Sequence, residues 1–169
     1  MSKSATLIKP EQFKRSKPIR RKINLRTPLG DINTHWVEVV HEEDPKQALL
    51  KQIGEIPEGL VQFSRILVAI YKPPMVEKTA GGIILTDKMK EEDLREYHWQ
   101  GKVGLIVAMG PQAYVDDENT QFHGTANKVG DWVWFRPSDG MNCEVNEVFC
   151  RLMHERDIIG TVPHPDAIW

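Results

Sequence analysis

After residue 60 the chain consists of short apolar blocks separated by polar, glycine-containing and proline-containing stretches, a pattern that predicts strands. The runs at 65–71 and 104–111 are nearly continuous in apolar residues, which is typical of buried strands. The first stops at Pro73-Pro74 and the second at Gly110-Pro111, both of which break regular structure. The predicted strands of this region are 65–71, 104–111, 132–135, 141–145, 148–153 and 157–162.

A strand and one short helix are predicted before this β region. Residues 35–41 are rich in β-branched and aromatic side chains, which favour a strand. Asp44 is a suitable N-cap, Pro45 fits the first helical position and Gly54 can end the helix, whose apolar stripe is Leu49, Leu50 and Ile53. We therefore divide the chain into a basic arm (residues 1–30), an extension with a strand and a helix (31–59), and a β domain (60–169) that contains a long loop (73–100).

The N-terminal arm is strongly basic, whereas the rest of the chain is acidic. Residues 1–27 hold nine Lys and Arg residues against the single Glu11, a net charge of +8, and because the whole chain carries −2 the remainder carries −10. With three prolines and few large apolar groups, residues 1–30 cannot bury enough surface to fold alone. Such an arm could bind nucleic acid, an acidic neighbouring subunit, or nothing in particular. The candidate contact residues are Lys14, Arg15, Lys17, Arg20, Arg21, Lys22 and Arg26.

Bulk composition is that of an ordinary globular protein, with 169 residues of which 40% are hydrophobic and 27% charged. No apolar run approaches the roughly 20 residues that span a bilayer, and no secretory signal is recognisable, so we expect a cytoplasmic protein without membrane contact. The two cysteines, Cys143 and Cys150, face each other in the predicted hairpin about Asn146-Glu147. A disulfide would fit there, but two cysteines and a reducing compartment favour free thiols.

Motifs that carry catalytic chemistry are missing from the sequence. It has no phosphate-binding glycine loop, no Gly-x-Ser-x-Gly elbow and no Cys-x-x-Cys pair. The histidines at positions 35, 41, 98, 123, 154 and 164 lack the spacing of metal ligands. Trp132 and Trp134 alternate on one predicted strand, which indicates a core or a subunit interface rather than a base-stacking platform. The sequence therefore predicts a protein that is not an enzyme and has no metal or cofactor of its own.

One stretch, residues 79–86, combines a hinge with a cluster of aliphatic side chains. Gly81 and Gly82 favour no regular element, and Ile83, Ile84 and Leu85 follow them directly, before a charged run. A short core strand entered through a Gly-Gly turn is one interpretation. The other is a flexible loop whose apolar tip docks into a groove of a partner protein.

From about residue 65 to residue 162 the chain resembles the ten-kilodalton co-chaperonins, the GroES family. Arg65-Ile66-Leu67-Val68 is similar to the family's first strand, and Thr79 to Leu85 is similar to its mobile loop. Residues 104–111 resemble the family's Gly-x-Val-x-Ala-Val-Gly strand, and residues 129–135 and 155–160 complete the pattern in order.

The resemblance implies an all-β fold, a small irregular Greek-key β-barrel. It also implies a homo-oligomeric ring that caps a double-ring chaperonin and assists protein folding. In the family the tip of the mobile loop makes this contact, which here corresponds to Gly81, Gly82, Ile83, Ile84 and Leu85. Cofactors are not expected, because in such a system the partner chaperonin binds and hydrolyses ATP.

The first 60 residues have no counterpart in a minimal co-chaperonin. Large, decorated relatives are expected from bacteriophages, which carry their own co-chaperonins for folding capsid subunits in the host cytoplasm. The alternative is a virion protein, a structural or decoration (capsid cement) subunit that reuses the barrel. Its N-terminal arm would then hold it to the major capsid protein or to other virion subunits.

Overall fold

The computed structural model describes the backbone of residues 19–26 and 32–39, and residues 41–74 and 100–168 with their side chains. The elements that lie within these ranges include the helix α1 (Pro45–Ile53) and eight strands. The strands are β1 (Ile19–Arg26), β2 (Ile32–Val39), β3 (Arg65–Ile70), β4 (Val103–Met109), β5 (Trp132–Phe135), β6 (Met141–Val145), β7 (Val148–His154) and β8 (Ile158–Val162). Short 3₁₀ turns lie at Glu155–Asp157 and Pro165–Ala167.

Six of the strands form one antiparallel sheet in the order β6-β7-β3-β4-β5-β8. The predicted all-β class is confirmed, and the six strands predicted after residue 60 are present with ends shifted by no more than two residues. The chain crosses the sheet twice, from β5 to β6 and from β7 to β8. In each of these two steps the second strand lies at the far edge of the sheet from the first. The backbone register shifts once within β3 and once within β5.

The sheet is buried on both faces around β3. Leu67 and Ala69 belong to one apolar cluster, whereas Ile66, Val68 and Ile70 belong to a second cluster. Because both faces exclude water, alternation of apolar and polar residues is lost, and the strand reads as a continuous apolar run. Trp132 is buried in the first cluster and Trp134 packs against it, so the prediction that these tryptophans serve the core is confirmed.

Helix α1 forms as its sequence predicts and covers part of the first cluster. The Asp44 side chain accepts a hydrogen bond from the backbone N–H of Lys46, and the N–H of Gly54, at a φ of 62°, donates to the carbonyl of Leu50. Ile53 is fully buried among residues of the sheet, with Leu49 beside it. The helix therefore shares the core of the β domain.

The tight turn of the β6–β7 hairpin holds the end of α1. Asn146 and Glu147 both have positive φ, 48° and 64°, as a two-residue hairpin turn requires. The Asn146 amide donates to the carbonyls of Ile53 (2.6 Å) and Glu55 (3.0 Å). These bonds satisfy carbonyls that a helix C-terminus would otherwise leave without partners.

Part of the basic arm is a strand that the sequence analysis did not predict. Residues Ile19–Arg26 form β1, which pairs with β2 from Ile19↔Val39 to Arg26↔Ile32 as a separate two-stranded sheet. Pairing with β2 supplies the backbone hydrogen bonds that an isolated basic arm lacks.

Strand β2 begins and ends earlier than the predicted 35–41. Of the candidate arm contacts, Arg20, Arg21, Lys22 and Arg26 lie in β1, and Lys14, Arg15 and Lys17 lie outside the described residues.

Strands β3 and β4 approach so closely that two glycines are required. A Cβ on Gly104 would lie 2.6 Å from the carbonyl oxygen of Ala69, and a Cβ on Gly110 would lie 2.1 Å from that of Phe63. Both obstacles are backbone atoms, which cannot move aside without disturbing the sheet.

We expect Gly110→Ala to lower the free energy of unfolding by about 3 kcal/mol, because the added methyl group overpacks against backbone. Gly124→Ala is the matched control: no atom lies within 4 Å of the added Cβ, and only its φ of +80° opposes the change. The control should lose about 1 kcal/mol. Urea unfolding measures both, and equal losses would contradict the close approach.

Cys143 and Cys150 are directly opposite each other in the β6–β7 ladder, as predicted, and both are free thiols. Burial raises the pKa of the Cys150 thiol from 9.0 to about 12, and burial also raises the pKa of Cys143. Because the thiolate is the nucleophile, neither cysteine should react readily at neutral pH.

We expect Cys150 in the folded protein to resist iodoacetamide at pH 8, and both cysteines to react in urea. Above pH 9 the free energy of unfolding should fall, because the Cys150 thiol ionises there in the unfolded chain, whereas burial raises its pKa in the folded protein to about 12. Mass spectrometry of native and unfolded samples measures the labelling, with Cys143→Ser to assign the site. Rapid labelling of native Cys150 would be inconsistent with its buried position.

Candidate functional site

The segment that contains the predicted loop begins and ends on two paired strands. Strand β3 ends at Ile70, which lies opposite Gly104 in β4. One residue beyond, the N–H of Tyr71 donates to the carbonyl of Val103 at 3.0 Å. The two ends of the intervening segment are therefore fixed side by side at one edge of the β3–β4 ladder.

The predicted partner-binding residues belong to this segment. Gly81, Gly82, Ile83, Ile84 and Leu85 lie outside the described residues, which stop at 74 and resume at 100. Their role as a docking loop stays a prediction, and the described residues show only the base from which the segment leaves the sheet.

A buried polar network lies at this base and consists of His41, Tyr71, His164 and Asp166. The Tyr71 hydroxyl donates to Asp166 Oδ1 at 2.6 Å, and His41 Nε2 lies 2.5 Å from Asp166 Oδ2. His41 Nε2 is also 3.1 Å from the Tyr71 hydroxyl. His164 Nδ1 is 3.3 Å from Asp166 Oδ2, at the more open side of the network.

The core of this network is removed from water. Asp166 is 2% exposed, His41 3% and Tyr71 8%. A buried carboxylate is costly unless polar groups surround it, so the hydrogen bonds from Tyr71 and His41 are what permit Asp166 to occupy this position. The Tyr71 ring packs edge-on against Trp132, with ring centres 5.6 Å apart, which fixes the hydroxyl against the core.

Three separate parts of the chain position these side chains. His41 precedes α1 in the N-terminal extension, Tyr71 follows β3, and His164 and Asp166 belong to the 3₁₀ turn after β8. The Asp166 backbone N–H donates to His164 Nδ1 at 3.3 Å, which orients the imidazole. The network thus fastens the extension to the end of the β domain.

Sequence reasoning missed this network. His41 and Asp166 are 125 positions apart and Tyr71 and Asp166 are 95 apart, so no local spacing brings them together. The only local signal is the His164-Pro165-Asp166 sequence, which is typical of a turn.

A cavity of about 470 Å³ adjoins the network between α1 and the residues that follow β3, which reach Pro74. Its lining includes His41, Glu42, Leu49, Tyr71 and Lys72. Burial lowers the pKa of Lys72, and the nearby Glu144 opposes that shift. The cavity therefore borders the residue that contributes the first histidine of the network.

Helix α1, with nine residues, is too short to cross a bilayer, and no other helix among the described residues is long and apolar enough to do so.

Comparison with known proteins places most of the β domain in one family. The family model described as "Chaperonin 10 Kd subunit" matches residues 62–162. The chain is 37% identical to the co-chaperonin GroES of Methylorubrum populi over 86 residues, which are 51% of this chain and 79% of that protein. It is 32% identical to the co-chaperonin GroES of Rickettsia conorii over 95 residues, 56% of this chain and 90% of that protein.

A third relative, co-chaperonin GroES 2 of Mesorhizobium japonicum, is 33% identical over 86 residues, which are 51% of this chain and 73% of that protein. The family match includes β3 to β8 and the whole 75–99 segment, whereas the β1–β2 pair and α1 precede it. Because the family model covers more than half of the chain and agrees with its six-stranded sheet, the protein belongs to the chaperonin 10 kDa subunit family, that of the GroES co-chaperonins.

Proposed function

We propose that this protein is a co-chaperonin that caps a double-ring chaperonin through the aliphatic tip Ile83-Ile84-Leu85. The observation that carries the proposal is that the chain on either side of this stretch, at Tyr71 and Val103, is held on paired strands within the family match. A segment anchored in this way can present its tip to a partner while the sheet stays intact. Gly81 and Gly82 give the tip the conformational freedom that such docking requires.

The energetics of the proposed contact favour a repeated, individually weak interaction. Each buried aliphatic side chain contributes about 1.5–3 kcal/mol. Ordering the loop costs about 1–2 kcal/mol for each residue fixed, which offsets most of that gain. A homo-oligomeric ring would present several copies of the tip at once, and simultaneous binding strengthens the overall affinity by about 10²- to 10⁴-fold.

In this function the protein is a non-catalytic cap. ATP is bound and hydrolysed by the chaperonin, and the cap encloses the folding chamber. The buried network and the core support this role structurally, because they give the base of the loop a fixed position.

We expect Ile84→Asp to weaken ATP-dependent binding to a double-ring chaperonin by at least about 100-fold, because a carboxylate in an apolar groove loses the burial energy and adds a desolvation cost. Co-elution on size exclusion, with and without ATP, measures the complex. Val115→Asp is the matched control, since Val115 is an exposed aliphatic residue outside the loop. Unchanged binding by Ile84→Asp would rule out the proposed tip.

A second candidate is a structural or decoration protein of a virion, attached through the N-terminal part of the chain. It is favoured by one observation: the family match begins at residue 62, so the basic arm and the β1–β2 pair lie outside it. A charge change at Lys14, Arg15 and Lys17 tests it without removing β1.

We expect the triple variant Lys14→Glu, Arg15→Glu, Lys17→Glu to keep normal co-elution with the chaperonin if the protein is a co-chaperonin. If the protein is instead a virion subunit, the wild type should not bind the chaperonin with or without ATP, and the triple variant should be missing from purified particles. Normal incorporation of the triple variant would count against the second candidate.

A further inference from the structure

We propose that His41, His164 and Asp166 form a binding site for a divalent transition-metal ion, with Zn²⁺ as the best match. One ligand atom from each residue, two imidazole nitrogens and a carboxylate oxygen, lies within 4.8 Å of the other two. The site would fasten the N-terminal extension to the end of the β domain. It does not depend on the proposed chaperonin contact, which uses other residues.

The donor set matches zinc chemistry. Two neutral imidazoles and one carboxylate are a frequent ligand combination for Zn²⁺ when three protein groups leave a fourth position for water. Ca²⁺ and Mg²⁺ prefer sites made of oxygen ligands, so the two histidines disfavour both of these ions.

His164 would offer its Nδ1 atom to the ion. This nitrogen lies 3.3 Å from Asp166 Oδ2 and accepts the backbone N–H of Asp166 over a long distance, also 3.3 Å. A metal ion at Nδ1 would use the same lone pair, so metal binding replaces this long hydrogen bond with a Zn–N bond.

The neighbouring groups suit a metal centre. Tyr71 donates to Asp166 Oδ1 and leaves Oδ2 directed at the two histidines, which is the kind of orienting contact that metal ligands have. Glu42 and Glu43 line the adjoining cavity and add negative charge near its mouth.

An ion can reach the three ligands. The His164 side chain is 33% exposed, and His41 is one of the residues that line the cavity of about 470 Å³. On binding, the 2.5 Å contact between His41 and Asp166 would widen, because two ligands about 2.0–2.1 Å from one tetrahedral ion are roughly 3.3 Å apart. His41 precedes α1 by only three residues, without regular structure, and these can follow such a shift.

The direct test is Zn²⁺ binding by the full chain after treatment with a chelator, measured by competition with a chromophoric zinc indicator. We expect one Zn²⁺ per chain for the wild type and at least a 100-fold weaker affinity for His164→Gln. His164 is chosen because its side chain is partly exposed, so the variant should fold. His123→Gln is the matched control, since His123 is exposed on a loop far along the chain from all three ligands.

Two further measurements make the result decisive. Co²⁺ in place of Zn²⁺ should give the intense visible absorption of a tetrahedral site in the wild type and in His123→Gln, but not in His164→Gln. Zn²⁺ should also slow amide hydrogen exchange in residues 41–53. The proposal is overturned if the wild type binds less than one ion per chain, or if His164→Gln binds Zn²⁺ as tightly as the control.

Discussion

The pairing of β3 with β4 is the constraint on which the other described features of the β domain depend. Strand β3 lies in the middle of the six-stranded sheet, contributes to both apolar clusters and pairs with β7 on its other side. Gly104 and Gly110 allow the two backbones to come together, because neither position has room for a Cβ. The same pairing fixes both ends of the 75–99 segment and sets the position of Tyr71.

The polar network extends this constraint to the rest of the chain. Tyr71 directly follows β3, and its hydroxyl donates a hydrogen bond to Asp166. The position of the sheet therefore determines where the C-terminal turn and the N-terminal extension can attach. Two other contacts act in parallel with it, the burial of Ile53 in the core and the bonds from Asn146 to the end of α1. The extension is thus an integrated part of the fold from residue 41 onwards.

Features with local causes could be predicted from the sequence. The buried strands are visible because burial on both faces produces continuous apolar runs, as in Arg65–Ile70. Helix α1 is visible because Asp44, Pro45 and Gly54 each have a specific role at a helix end. The opposition of Cys143 and Cys150 follows from the hairpin register, which a two-residue turn fixes.

Features with non-local causes could not be predicted. Strand β1 depends on pairing with β2, and its basic residues gave the segment the composition of a disordered arm. The network of His41, Tyr71 and Asp166 depends on how distant segments pack, and a single sequence carries no record of that contact. The loop tip is the reverse case: its pattern is evident in the sequence, but its residues lie outside the described part of the chain, so its docking role stays a prediction.

The link between Asn146 and α1 has a consequence for the order of events during synthesis. The carbonyl of Ile53 accepts a hydrogen bond from Asn146, which is synthesised 93 positions later. His41 contacts Asp166, which is synthesised 125 positions later. On the ribosome the extension therefore emerges well before the surface to which it attaches. The bonds from Asn146 to the end of the helix and from Asp166 to His41 can therefore form only after the last hairpin and the C-terminal turn have been made, so this part of the attachment is a late step in folding.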